Sequence, residues 1–405
     1  MSVVRILRNS FTVASSLLEK QALRSNDTVA SAGIVQSGYG KQPRRSMSNV
    51  YPMVKISRNM TMTDEIQKME VLWPDVVRDI TSSERHFDVP DATEWLAKIL
   101  QYNVPNSKKY RAQWLILAYK KLARPDLLTA ENLRLMRILC WCTEIIQSHF
   151  LIIDDILDNS QSRREQPCWY RLEDVGHTAV NDAVLLEHAT FHLLRMHFKD
   201  KPCYLELMEA MQEIIMDVTI GQALDVMATN ALKKSDWSAF TIDRFNLITK
   251  YKSSFMAFLL PMQFAMYLAE IRDPEVHKQT KEILLKMGPF YQMQDDYFDC
   301  FSHPEAVGEE GNDIQEGKCT WLIADAYQRA TLEQRKILQE CYGVDDPKKV
   351  AKVKQLYIDL EVPKAYSICM EQTYHSLNNE IKQIPPGPLQ DVLFELFDVT
   401  WRRNA

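Results

Sequence analysis

Apolar residues recur at intervals of three and four along most of the chain beyond Thr61, which is the period of helices that bury one face. The pattern predicts helices over 63–80, 92–102, 113–122, 130–157, 180–198, 203–228, 238–271, 274–301, 319–330, 332–342, 348–360 and 362–384. Breaks fall at Asn103-Val104-Pro105, Pro125, Pro167, Pro202, Pro274, Pro304 and Pro385-Pro386, where the ring and the missing N–H end or start a helix. Only 11 glycines occur in 405 residues, which fits long helices joined by short connections. The expected fold class is all-α, a helical bundle with a central active-site cavity built from facing helices. No low-complexity linker interrupts it, so residues 61–405 read as one domain.

The first 48 residues differ in kind. They hold Arg5, Arg8, Lys20, Arg24, Lys41, Arg44 and Arg45 against only Glu19 and Asp27, with abundant serine. An Arg-rich, Ser-rich, acid-poor leader is the composition of a mitochondrial transit segment, so residues 1–48 are expected to be a mitochondrial leader, with a disordered tail as the alternative. Met47, Met53 and Met60 offer internal starts for a cytosolic form. The whole chain carries a net charge of −6, which gives no basis for a nucleic-acid partner. The eight cysteines lack the spacing of a zinc site or a disulfide framework and read as buried thiols. The stretch from Phe255 to Ile271 is interrupted by Pro261 and Glu270, and no stable membrane insertion is expected.

Two acidic clusters of one pattern carry the candidate chemistry. Asp154-Asp155-Ile156-Leu157-Asp158 and Asp295-Asp296-Tyr297-Phe298-Asp299 each place carboxylates at i and i+4, on one helical face. Carboxylates so close repel one another, and hard oxygen donors select a hard cation. Mg²⁺ bound by one or two carboxylates usually completes its shell with water and substrate phosphate oxygens, so the motifs point to a phosphorylated substrate.

Around these motifs stand Arg163-Arg164 with Trp169-Tyr170, Gly221-Gln222 with Asp225, Lys250-Tyr251-Lys252, Asp313-Ile314-Gln315 and Lys318-Cys319-Thr320-Trp321. In this set and its order the chain, from about residue 64 to Arg403, resembles the trans-isoprenyl diphosphate synthases, specifically the eukaryotic farnesyl diphosphate synthases. The resemblance implies a helical homodimer that ionises an allylic diphosphate and lets the double bond of isopentenyl diphosphate attack the cation. It implies that Asp154, Asp155, Asp158, Asp295, Asp296 and Asp299 hold Mg²⁺, three ions per site, against the allylic diphosphate. Arg163, Lys252 and Lys318 would grip that group, with Gln222, Asp225, Ser253, Tyr291, Gln292 and Asp313 nearby. Lys108, Arg111, Gln147 and Arg164 fall at the positions for the diphosphate of isopentenyl diphosphate. His149 and Phe150, just ahead of the first motif, fall where product length is set.

The chain departs from the family pattern near the substrates. Ser107, Ala112 and Glu165 stand where glycine is usual, Glu309 where lysine is, Ser253 where threonine is, Met256 where tyrosine is, Tyr291 where phenylalanine is, and Asn312 where threonine is. These changes leave open a second enzymatic reading, a terpene synthase of the same descent that ionises farnesyl or geranyl diphosphate without isopentenyl diphosphate. A non-catalytic subunit that modifies a related synthase is a third; the two intact acidic motifs speak against it.

Overall fold

The computed structural model describes residues 61–82, 89–302 and 311–402. The leader 1–48 and Glu309 lie outside the described residues. Helices α1 (Met62–Val71), α2 (Trp73–Thr81), α3 (Pro90–Asn103) and α4 (Tyr110–Leu122) lead into α5 (Ala130–Asp158). A two-residue hairpin follows, β1 (Ser162–Arg163) with β2 (Gln166–Pro167), then α6 (Ala179–Phe198), α7 (Tyr204–Lys233) and α8 (Ile242–Thr249). A π-helical segment, Lys250–Leu259, joins α8 to α9 (Leu260–Leu268). The chain then forms α10 (Pro274–Phe301), α11 (Asp313–Glu316), α12 (Trp321–Arg329), α13 (Leu332–Cys341), α14 (Pro347–Asp359), α15 (Val362–Gln383) and α16 (Pro388–Arg402).

The expected all-α bundle is present, with α5 at its centre. Thr129 caps α5 by accepting from Asn132 N, and the helix ends on Asn159 in the left-handed conformation at φ 58°. By length and composition α5 could cross a membrane, yet 78% of its most apolar window is buried inside the bundle. It packs between α4 and α6, and α10 packs along the π-helical segment across the interior. The first acidic motif therefore rides on the last turn of α5 and the second on the last turns of α10.

The structure departs from the expected element boundaries in identifiable places. The window 63–80 is two helices, because the chain turns at Leu72 and Pro74 starts a new one. The window 238–271 starts in a 3-10 turn, Trp237–Ala239, becomes α-helical only at Ile242, capped by Thr241, and changes to π hydrogen bonding at Lys250. Ten residues span only about two to three turns of either coil, too few for the apolar period to separate a π-helix from an α-helix. Helix α16 lies beyond the prolines that looked like the last break; Pro388 sits in its first turn, where the missing N–H costs nothing.

Candidate active site

Close packing of α7, the π-helical segment and α10 sets the position of Lys252. Gly221 of α7 faces the π backbone so tightly that a Cβ there would lie 2.2 Å from Lys252 N and 2.5 Å from Tyr251 C. On the other side, a Cβ on Gly288 of α10 would lie 1.7 Å from Ser254 Oγ. The two glycines let three backbones converge, and the wider π coil turns Lys252 inward.

Lys252 Nζ lies 2.8 Å from Asp154 Oδ1 and 2.6 Å from Asp225 Oδ2. Lys318, just beyond α11, bridges Asp158 at 2.5 Å and Asp225 at 3.2 Å. Gln222 donates to Asp154 Oδ1 at 2.8 Å, and Arg163 donates to Asp155 Oδ1 through Nε at 3.0 Å and Nη2 at 2.6 Å. Oxygens of Asp154, Asp158 and Asp225 lie within 4.8 Å of one another. Burial pushes these carboxyls up, but Lys252 and Lys318 outweigh it at Asp154, whose carboxyl is held far below the usual range. Asp158, penalised by burial and by Asp154, is raised. Burial likewise opposes the charge of both lysines, yet the aspartates keep them protonated, with Lys318 raised to about 12.

The second motif is held differently. Asp296 accepts from Trp321 N at 2.8 Å and from Gln292 Nε2 at 3.1 Å, while Ser253 Oγ donates to Gln292 Oε1 at 3.0 Å. The substituted serine thus keeps the hydroxyl that links the π-helical segment to α10. Asp299 accepts from Asn312 N at 2.9 Å and Asp313 N at 3.2 Å. Burial first, then Asp295 and Asp299, push Asp296 up to about 8. Glu316 of α11, which the pattern had not singled out, is pushed up to about 7 by burial and lies in the fields of Asp154 and Asp158 as well as Asp299. It marks the place where both motifs act on one volume.

The donor set fits the implied metal. Hard carboxylate oxygens converge from α5 and α7, the second motif lies across from them, and its buried, mutually repelling carboxyls gain stability from a divalent cation. Lysines stand among the carboxylates rather than apart from them, as charges that take up phosphate oxygens would.

The other predicted residues stand on α4 and the turn before it, on α5, on the hairpin turn and on α10. Arg111 is buried on α4, which works against its charge, and Arg164 donates to the Asn103 carbonyl at 3.1 Å. Lys108 is exposed and Gln147 half-buried on α5. His149 donates from Nδ1 to the Ala183 carbonyl of α6 at 2.8 Å; burial lowers its pKa, and Phe150 meets its ring edge-on. Of the three lost glycines, Ala112 sits in the regular helix α4 and Ser107 keeps an ordinary φ, so neither position requires glycine for its backbone. Glu165 does: the hairpin turn holds Arg164 at φ 56° and Glu165 at φ 62°.

Known proteins resemble the chain in sequence and in fold. The chain is 42% identical over 348 residues to the farnesyl pyrophosphate synthase of Nezara viridula, covering 86% of this chain and 85% of that one. It is 41% identical over 312 residues to that of Gallus gallus, at 77% and 85% coverage. It is 35% identical over 352 residues to that of Saccharomyces cerevisiae, at 85% and 100%. Its fold matches T. brucei farnesyl diphosphate synthase complexed with risedronate at a TM-score of 0.77 and 27% identity, over 84% of this chain and 100% of that one. The polyprenyl synthetase family model matches residues 93–360, and the chain belongs to that family.

Proposed function

We propose that this protein is a magnesium-dependent farnesyl diphosphate synthase that condenses isopentenyl diphosphate with dimethylallyl or geranyl diphosphate. The observation that carries this reading is the convergence of Asp154, Asp158 and Asp225 around Lys252 and Lys318, in a chain whose relatives bear that name. The allylic C–O bond breaks with its electron pair leaving on diphosphate; the isopentenyl double bond then forms the new C–C bond, and a proton is lost. Lys252, Lys318 and Arg163, paired in this structure with Asp154, Asp155, Asp158 and Asp225, would turn to the charge that grows on the leaving diphosphate and stabilise it. Asp154, Asp155, Asp158, Asp295, Asp296 and Asp299 would hold Mg²⁺, three ions per site, which would supply further neutralisation of that charge. Lys108, Arg111, Gln147 and Arg164 take the second diphosphate, a cradle that a synthase using one allylic substrate would not need. Asp154→Ala and Lys252→Ala should each lower the Mg²⁺-dependent rate by at least about 100-fold; turnover within a few-fold of wild type in either would reject the site.

The same reading extends to assembly and location. Along α7, Met216, Ile220, Ala223 and Met227 form an exposed row at helical spacing, and α6 adds Val180 and Val184. That apolar face supports a homodimer formed through α6 and α7. Ile220→Lys with Met227→Lys should halve the mass seen by sedimentation; an unchanged mass would place the interface elsewhere. The basic, serine-rich segment 1–48 supports import into mitochondria, with an internal start giving a cytosolic form. Fractionation of cells expressing the chain with and without 1–48 tests this, and mitochondrial recovery of both forms would reject it.

A further inference from the structure

The hairpin that carries Arg163 and Arg164 is too small to hold its own shape. Each strand has two residues, Ser162 opposite Pro167 and Arg163 opposite Gln166. Its turn puts Arg164 and Glu165, neither of them glycine, in the left-handed region at φ 56° and 62°. A lone two-stranded ribbon is at best marginal in water, and left-handed residues other than glycine persist only where the surroundings fix them. The support must come from what packs against the hairpin.

A chain of printed contacts leads from the hairpin to one buried acid. The Tyr102 hydroxyl, at the end of α3, donates to the Pro167 carbonyl of β2 at 2.8 Å, and Arg164 Nη1 donates to the neighbouring Asn103 carbonyl at 3.1 Å. The Tyr102 ring packs on Trp169, two residues past β2, with the ring centroids 5.1 Å apart. Trp169 is 2% exposed, and its Nε1 donates to Asp182 Oδ2 at 2.9 Å. Asp182, in the first turn of α6 and 1% exposed, takes a second indole on its other oxygen: Trp95 Nε1 of α3 donates to Oδ1, also at 2.9 Å. An indole nitrogen can only donate, so both carboxyl oxygens serve as acceptors. Tyr102, Asn103, Arg163, Arg164 and Trp169 line one cleft beside the first acidic motif, and Asp182 stands behind Trp169, outside that lining.

We propose that Asp182 is a positioning residue for the non-allylic diphosphate, acting through Trp169 and Tyr102 on the hairpin turn that aims Arg164. This rests on the condensation reading above. Without its acceptor the buried Trp169 N–H is left unpaired, a costly state that the ring escapes by tilting toward another partner. Tyr102 and the Pro167 carbonyl move with it, and the left-handed turn loses the packing that fixes it. The two arginines then fare differently. Arg163 holds Asp155 through two hydrogen bonds of its own, at 3.0 and 2.6 Å, and keeps its place. Arg164 sits in the turn itself and follows the hairpin, so the loss falls on the second diphosphate rather than on the allylic one.

Steady-state kinetics of the full chain with Mg²⁺, read beside the melting temperature, separate positioning from plain support. Asp182→Ala removes both acceptors. KM for isopentenyl diphosphate should rise about tenfold or more, while KM for geranyl diphosphate and kcat at saturation stay within about threefold. Trp169→Phe removes only the donor on the hairpin side and should give the same selective rise, so it decides the matter should the alanine form fail to fold. Trp95→Phe removes the other donor and leaves the Trp169 bond in place. It should lower the melting temperature as Trp169→Phe does, yet keep both KM values within about threefold. An unchanged KM for isopentenyl diphosphate in Asp182→Ala and Trp169→Phe, an equal rise for both substrates, or a rise in Trp95→Phe that matches Trp169→Phe would overturn the assignment. Wild-type turnover that does not depend on isopentenyl diphosphate would instead overturn the condensation reading, and this proposal with it.

Discussion

Gly221→Ala tests how the fold aims Lys252. By helix propensity alone the change should stabilise the chain by about 1 kcal/mol, since glycine is the poorer residue in a helix interior. Packing predicts the reverse. The added Cβ would meet Lys252 N at 2.2 Å, Tyr251 C at 2.5 Å and Lys252 Cα at 2.6 Å. All three are backbone atoms, and carbon contacts settle near about 3.5 Å or more, so the π-helical segment must retreat by about 1 Å. Overpacking of this kind typically costs about 1–3 kcal/mol, which offsets and exceeds the propensity gain. The retreat carries Lys252 away from Asp154 and Asp225, and a misplacement of about 1 Å at a reacting centre can cost about 100-fold in rate. Farnesyl diphosphate formation at saturating substrates, read with the melting temperature, separates the two losses. We expect kcat to fall about 100-fold while the melting temperature drops by a few degrees at most. Gly176→Ala is the control: its φ of +55° strains an alanine but nothing lies within 4 Å, so it should lose stability without losing turnover. Gly221→Ala with kcat within about threefold of wild type would refute the idea that close approach sets the lysine.

Glu165→Gly relieves a left-handed residue at φ 62°, and after the entropy cost of glycine it should add about 0.5–1 kcal/mol, raising the urea midpoint with an unchanged m-value. A lowered midpoint would show that the Glu165 side chain contributes more than its backbone costs. Asp296 is raised to about 8 in the metal-free fold, so between pH 4 and 8 the native state binds more protons than the unfolded chain, and stability falls as pH rises. The slope from this group approaches about 1.4 kcal/mol per pH unit, and Asp296→Asn should flatten it in chemical denaturation without Mg²⁺. Equal slopes in wild type and variant would show that Asp296 is already ionised. Asp295→Ala should lower turnover by at least about 100-fold, and retained activity would remove the second motif from the site.

The helical character and both acidic motifs were legible in the sequence because each is a local pattern: apolar period in one case, carboxylates at i and i+4 in the other. The set of residues brought to Lys252 was legible only through resemblance, since Asp154, Asp225 and Lys318 come from separate elements and nothing local joins them. The π-helical segment was hidden because Lys250–Leu259 spans only about two to three turns, too few for an apolar period to separate π from α. Glycine scarcity was read as a sign of long helices, yet Gly221 and Gly288 matter for what their missing Cβ atoms admit, which needs the partner helix to be seen. The lost glycines looked alike in sequence and differ in structure: only Glu165 occupies a backbone conformation that glycine would favour.

Product analysis of leader-free protein with Mg²⁺ tests the central claim most directly. Three substrate sets are compared: isopentenyl with dimethylallyl diphosphate, isopentenyl with geranyl diphosphate, and farnesyl diphosphate alone. Farnesyl diphosphate should form in the first two and nothing should be consumed in the third. A volatile terpene released from farnesyl diphosphate alone, with no elongation in the other two, would contradict the account and make the chain a terpene synthase built on the same metal clamp.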